Sequence, residues 1–324
     1  MRDAQPGQHK SVWRRLLTFD EVGVVAALLT VCGVLWVDAG DQFVQPTNLL
    51  QIARQASSYG ILAVGMVLLL SMGEIDLSVG AILTLVNIVT AVTLREGMPI
   101  PLAVVVGLST GAACGLVNGL LGVALRIPSI LVTLGTMSVF RGLALVLCDA
   151  TTVSKFSKDT YLFKFGDGNA LGVPTSVWVM LATGLIGHVL LIHTPFGWRA
   201  QAIGSNAQAA RFSGIPLDRY RVAAMTIMGL VAGIAGVMEL AFLQSGSPTT
   251  GQGYELYVIA SVIIGGTALT GGSGSVVGGI LGALLIAVIR NGLVLLGFSA
   301  YWGTVATGVV IIAAVAIGGW VKRQ

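Results

Sequence analysis

Apolar runs alternate with short polar breaks along almost the whole chain, at about 22–37, 56–72, 77–94, 100–121, 127–148, 173–192, 222–243, 255–270, 275–297 and 301–319. A helix needs roughly 20 apolar residues to cross a hydrocarbon core of about 30 Å, and a barrel strand about half that. The pattern predicts an all-α, polytopic membrane helix bundle of about ten transmembrane helices. Residues 22–319 would form the spanning domain, with a polar segment at 1–21 and a short tail at 320–324 outside it. The weakest boundaries are the polar break at 73–76 and the glycine-rich break at 271–275.

Composition agrees. The chain has 324 residues, 55% hydrophobic and 10% charged, with mean hydropathy +0.89. A soluble domain carries about a quarter charged residues, so lipid is the expected surrounding. Forty-four glycines suit helices packed through small residues. Cys32, Cys114 and Cys148 lie in or beside apolar runs without disulfide or metal spacing, and are assigned to packing. The net charge of +4 forms no nucleic-acid stripe. Val37-Asp38-Ala39 resembles a signal-peptidase site, but the long leader and the length of the first run favour a retained first helix.

Charge sets an expected orientation. With ten spans and a cytoplasmic N-terminus, eleven basic residues fall inside and five outside, the bias of the positive-inside rule. Both termini and the stretch 195–221 would then be cytoplasmic, and the 149–170 loop external. That loop, with three aspartates against three lysines, reads as a solvated connector in preference to a docking surface.

Three interruptions of the apolar pattern are candidates for chemistry. In Gly73-Glu-Ile-Asp-Leu-Ser-Val-Gly80, two carboxylates and a serine sit between apolar spans. They either line a polar path or form a tight turn in which Asp76 caps the next helix, and Asp76 can do both. With Asn118 and Asn291, from two loosely matching stretches in the fourth and ninth spans, Glu74, Asp76 and Ser78 make up the candidate substrate pathway. Spans five apart run in opposite directions, as an inverted repeat requires.

The second interruption, 195–221, holds four of the eighteen basic residues. Asn206 is placed to cap a short helix running to Phe212, which Gly214 would end before Pro216. Its small side chains permit close docking into a groove on another protein. The third is a set of ionisable groups inside spans. Arg141, Glu239 and Arg290 are expected to pair within the bundle, and His188 and His193 lie near a helix end. No lysine follows a glycine, so the chain carries no phosphate-binding loop. Any ATP must be bound elsewhere.

Five stretches in register resemble the permease subunits of ribose-type ABC sugar importers. They are Gly73–Gly80, Ile127–Met137 with Arg141–Ala144, Ala202–Ile215, Gly253–Leu256 and Ile264–Gly272, within about 45–317. The resemblance implies a type II importer-like fold and two permease copies, this chain with itself or with a paralogue. It also implies an ATP-binding cassette ATPase below, a periplasmic sugar-binding protein above and lipid around. ATP-Mg would sit on the ATPase, with no cofactor on this chain. The coupling element that seats in the ATPase would comprise Gly197, Arg199, Gly204, Asn206, Ala209, Ala210, Arg211, Ser213 and Gly214. Ser205, Ala207 and Gln208 depart from the common family pattern there, removing two acidic side chains, and Glu74 stands where many relatives have glycine.

Two other functions are compatible with the residues. An ion-driven carrier acting alone would use Asp76 or Glu239. An intramembrane serine protease would use Ser273 of Gly271-Gly-Ser-Gly274 with His188 as base.

Overall fold

The computed structural model describes residues 20–154, 156–157, 160–299 and 301–321. The N-terminal basic segment up to residue 19 and the tail from residue 322 lie outside the described residues.

Each predicted apolar run falls on a helix. The long ones are α1 (Asp20–Ala39), α3 (Pro46–Ser71), α5 (Ile100–Leu125), α6 (Ser129–Leu147), α8 (Thr175–Ile192), α11 (Leu217–Leu243), α13 (Val276–Leu295) and α14 (Tyr301–Val321). Between them lie the short helices α2 (Asp41–Val44), α7 (Tyr161–Asp167), α9 (Pro195–Ser205) and α10 (Ala207–Phe212). Two further helices, α4 (Val79–Arg95) and α12 (Tyr254–Ile264), are apolar but shorter than a span. Seven helices among the described residues are long and apolar enough to cross a membrane. Of the ten expected crossings, α4 and α12 are shorter than these seven, at 17 and 11 residues. At 11 residues, α12 rises only about 16 Å.

The core is the column formed by α3 and α11, buried along most of their length. A glycine seam joins α11 to α5. A side chain on Gly111 or Gly115 would overlap the backbone of Gly229 or Met225, so the two helices meet through bare peptide. Backbones this close gain dispersion contacts that bulkier residues would prevent.

Both short helices begin inside the bundle. Before α4, the non-helical segment 73–78 runs along the start of α6. Ser129 Oγ accepts from the Ile75 N–H (3.2 Å) and Thr133 Oγ1 from the Leu77 N–H (3.1 Å). Ser129 and Thr133, one turn apart on α6, thus satisfy backbone groups that the broken helix leaves open. Before α12, the segment 244–253 dips inward from the other end of the bundle. Its Gly246 bridges Val153, while Tyr254 packs edge-on against Tyr59, midway along α3, at 5.0 Å. The helix starts meet where Gly80 and Gly251 abut through backbone, and Thr84 Oγ1 donates to the Thr250 carbonyl. Gly80 is helical, and its missing side chain makes room for Gly251.

From this junction α4 leads away from the end carrying 195–221, and α12 leads toward it. They are the third and eighth apolar segments, five apart and opposed, the arrangement an inverted repeat produces.

The fold is mostly helical, as expected, with one small antiparallel pair, β1 (Asn169–Ala170) with β2 (Val173–Pro174). One expectation is corrected. The 149–170 loop is not a solvated connector. It forms α7, buries Leu162, Phe163 and Gly166, and packs Gly166 so tightly on Ala241 of α11 that no side chain fits. Cys114 and Cys148 are buried and Cys32 half-buried, all three as free thiols.

Candidate functional site

Two of the sequence interruptions, 73–80 and 195–221, meet the glycine-rich break at 271–275 at one end of the bundle, here termed the loop end. Gly204, near the close of α9, lies directly against the Ser71 carbonyl at the close of α3 and against Gly272. Gly271 touches the backbones of Gly204 and Gly73, and the Gly272 N–H donates to the Ser71 carbonyl at 2.9 Å. Three chain segments distant in sequence are thereby joined through peptide groups. Gly73 and Gly271 also adopt positive φ (75° and 83°), which side-chain-bearing residues reach at a cost.

The 195–221 stretch is a pair of helices. Pro195 opens α9, and Gly197 is seated on the Leu191 backbone with no room for a side chain. Arg199 Nη1 donates to the Tyr220 hydroxyl at 2.6 Å, and Phe196 stacks on Tyr220 with ring centres 5.5 Å apart. These contacts tie α9 to the first turn of α11. Asn206 Oδ1 accepts from the Ala209 N–H at 2.9 Å and so caps α10, as expected, and Gly214 (φ 81°) follows its end. Ala209, Arg211, Ser213 and Gly214 are exposed, but Ala210 is only 5% exposed and packs inward. The expected all-small surface is also incomplete, because Phe212 is 83% exposed beside them. A lone phenylalanine at the end of an alanine-rich helix gives no periodic signal, which is why sequence reading passed over it.

Next to this pair opens a cleft of about 1200 Å³, lined among others by Arg126, Arg211, Arg219 and Arg221, with Asn118 on its wall. Asp76 lies behind it, 0% exposed. Its Oδ1 accepts from the Ser78 N–H (2.7 Å) and Ser78 Oγ (2.6 Å), and Ser78 Oγ accepts from Asn118 Nδ2 (2.8 Å). Asp76 therefore organises the residue before α4 in place of capping its first turn. Asp76 Oδ2 and Asn118 Oδ1 are buried without a hydrogen-bond partner. Glu74, grouped with these residues in the sequence reading, points elsewhere, its Oε1 lying 2.6 Å from Arg221 Nε.

Asn291, the fifth candidate pathway residue, is not in this cluster. It lies toward the far end, where its Nδ2 donates to Asn48 Oδ1 at 2.8 Å, beside a second pocket of about 580 Å³. Arg141 and Arg290 were expected to pair with carboxylates or carbonyls inside the bundle, and no ion pair joins either to Glu239 among the described residues. Arg290 instead lies over the Tyr257 ring, 4.0 Å from its centre, and Glu239 Oε1 accepts from the Tyr254 hydroxyl at 3.2 Å. A cation over an aromatic face is stabilised without a carboxylate. Tyr254 and Tyr257, one helical turn apart, carried that signal in the sequence.

The arrangement required for a protease is absent among the described residues. Ser273 is exposed without a hydrogen bond to His188, whose ring stands against His193 at 6.0 Å. Nor is there a cluster of metal-ligating side chains among the described residues.

Residues 48–315 match the family model described as branched-chain amino acid transport system / permease component. The chain is 41% identical over 273 residues to the ribose import permease protein RbsC of Bacillus subtilis (strain 168), covering 84% of this chain and 85% of that one. It is 40% identical over 279 residues to the ribose import permease protein RbsC of Escherichia coli (strain K12), covering 86% of each. Against the L-arabinose transport system permease protein AraH of the same strain, identity is 34% over 299 residues, 92% of this chain and 90% of that protein. No solved structure matches the chain.

Proposed function

The chain belongs to the branched-chain amino acid transport system / permease component family, and we propose that it is the membrane-spanning subunit of an ATP-driven sugar importer in the bacterial inner membrane. It supplies the path, and a separate ATPase supplies the energy. The resemblance to ribose and arabinose permeases supports a neutral monosaccharide as cargo.

In this reading, α9 and α10 face the cytoplasm and seat in the ATPase through the surface around Ala209, Arg211, Phe212 and Ser213. ATP binding brings two ATPase copies together and displaces α9–α10. A second permease copy, or a paralogue, completes the channel, and a periplasmic sugar-binding protein delivers cargo at the far end.

The observation that carries this is the backbone junction of Gly204, Gly271 and Ser71. A push on α9–α10 reaches the ends of α3 and the segments preceding α4 and α13 with no flexible side chain between. Bistable packed elements transmit small shifts in this way.

The test is co-expression with the neighbouring ATPase and binding protein, followed by reconstitution. ATP-dependent uptake of ribose, arabinose or allose that needs all three components is the expected result. Uptake by the permease alone under an ion gradient, or nucleotide hydrolysis by the permease alone, would overturn it.

A further inference from the structure

We infer that the far-end pocket beside Asn291 is a binding site for the transported sugar within the permease itself. This rests on the sugar-importer reading above and adds to it a place and a set of contacts.

Four elements build the pocket. Gln55 comes from α3, Glu239 and Phe242 from α11, Tyr254 from the start of α12, and Arg290 and Asn291 from α13. Its volume of about 580 Å³ falls within the roughly 300–1000 Å³ typical of small-molecule sites. It is open at the far end and closes on the junction where α4 and α12 begin.

The lining suits a neutral polyol. Arg54, at the rim, is already committed, donating to the carbonyls of Gly166 (3.2 Å) and Asp167 (2.8 Å) and lying 3.8 Å from the Asp167 carboxylate. That leaves one cation, Arg290, and one carboxylate, Glu239, so the interior carries no net formal charge. A hydroxyl needs no counter-charge, and both the guanidinium of Arg290 and the carboxylate of Glu239 can hydrogen-bond to one.

The wall also holds polar atoms that the protein does not satisfy. Arg290 Nη1 and Asn291 Oδ1 are buried without hydrogen-bond partners. One is a donor and the other an acceptor, and every sugar hydroxyl is both. Leaving such groups unpaired is unfavourable, which favours a ligand that reaches them after a small side-chain adjustment. Both side chains are held by their other contacts: Arg290 by the Tyr257 ring, and Asn291 through Asn48. Phe242 and Tyr254 add apolar faces for the C–H side of a pyranose or furanose ring.

The experiment uses the complete complex of permease, ATPase and binding protein in proteoliposomes, with radiolabelled D-ribose, L-arabinose and D-allose as probes. Glu239→Gln and Asn291→Ala are expected to lower sugar moved per ATP hydrolysed by about tenfold. Hydrolysis stimulated by loaded binding protein should stay within about twofold of wild type. If Asn291→Ala fails to assemble, Gln252→Cys serves, since this exposed residue lies at the pocket. A bulky maleimide attached after assembly should block uptake in that variant and leave wild type unaffected. Wild-type sugar-to-ATP ratios in both Glu239→Gln and Asn291→Ala, or unimpaired uptake after labelling, would overturn the pocket assignment. Absence of sugar uptake by the wild-type complex would overturn the importer reading itself.

Discussion

Glu74 and Arg221 pin the segment before α4 to the first turn of α11, with Oε1 and Nε 2.6 Å apart. The N–H of Nε is not aligned for a hydrogen bond, so the contact is mainly coulombic. It crosses the gap between the carboxylate-bearing interruption and the basic stretch, two features 147 positions apart in the chain. Because Arg221 is more than a third exposed, water screens the pair.

Glu74→Gln should therefore cost less than about 1 kcal/mol of stability. Its effect should appear in transport, because the pair fixes 73–78 relative to α11. The exchange Glu74→Arg with Arg221→Glu should restore most of the uptake lost in either single variant. Thermal unfolding in detergent and uptake in proteoliposomes measure the two effects separately.

Gly204→Ala should be severe for its size. The added methyl meets the Ser71 carbonyl and the Gly272 backbone, neither of which can rotate away. Overpacking of this kind costs about 1–3 kcal/mol. A lowered melting temperature together with reduced binding-protein-stimulated hydrolysis is the expected outcome. Gly23→Ala, in a position with nothing near it, is the matched control.

Ala209→Trp and Ala210→Trp should fail differently. Ala209 is exposed, so tryptophan there should leave a well-folded, monodisperse permease that no longer co-purifies with its ATPase. Ala210 is buried at 5% exposure, so tryptophan there should destabilise α10 itself. Size-exclusion profiles and ATPase pull-down distinguish the two.

Asp76→Asn should be tolerated far better than Asp76→Ala. Asparagine keeps an oxygen where Oδ1 accepts from the Ser78 N–H and hydroxyl. Alanine strands both donors inside the bundle, at about 1–3 kcal/mol for each unsatisfied group. Comparable melting temperatures for the two variants would show that geometry around Ser78 does not depend on this oxygen.

Periodicity made the helices legible, and cap chemistry made α10 legible down to its bounding residues. Asn206, Gly214 and Pro216 are local signals, and a local signal is what a sequence preserves. The 11-residue α12 was harder to see, because apolar composition continues through residues 244–275 while the backbone leaves the helix twice. Hydropathy records whether a residue is apolar and is blind to whether its peptide group is helical.

The site was partly legible for the same reason. Asp76, Ser78 and Asn118 come together as a polar cluster, but Glu74 turns to Arg221 and Asn291 lies in another pocket. Arg290 was read as seeking a carboxylate or a carbonyl, and only the fold reveals that Tyr257 lies beneath it. The meeting of Gly73, Gly204 and Gly271 had no sequence signal beyond the glycines themselves, in a chain that has forty-four.

Where Gly80 and Gly251 abut, the start of α4 rests on the segment leading into α12 through bare peptide. A layer of side chains would act as a cushion, absorbing an ångström of travel by changing rotamer. Peptide planes have no such slack, so the midpoint of the bundle is stiff in compression. A displacement introduced at the start of α4 must then reappear at the start of α12, and the segments leading into the two helices cannot move independently.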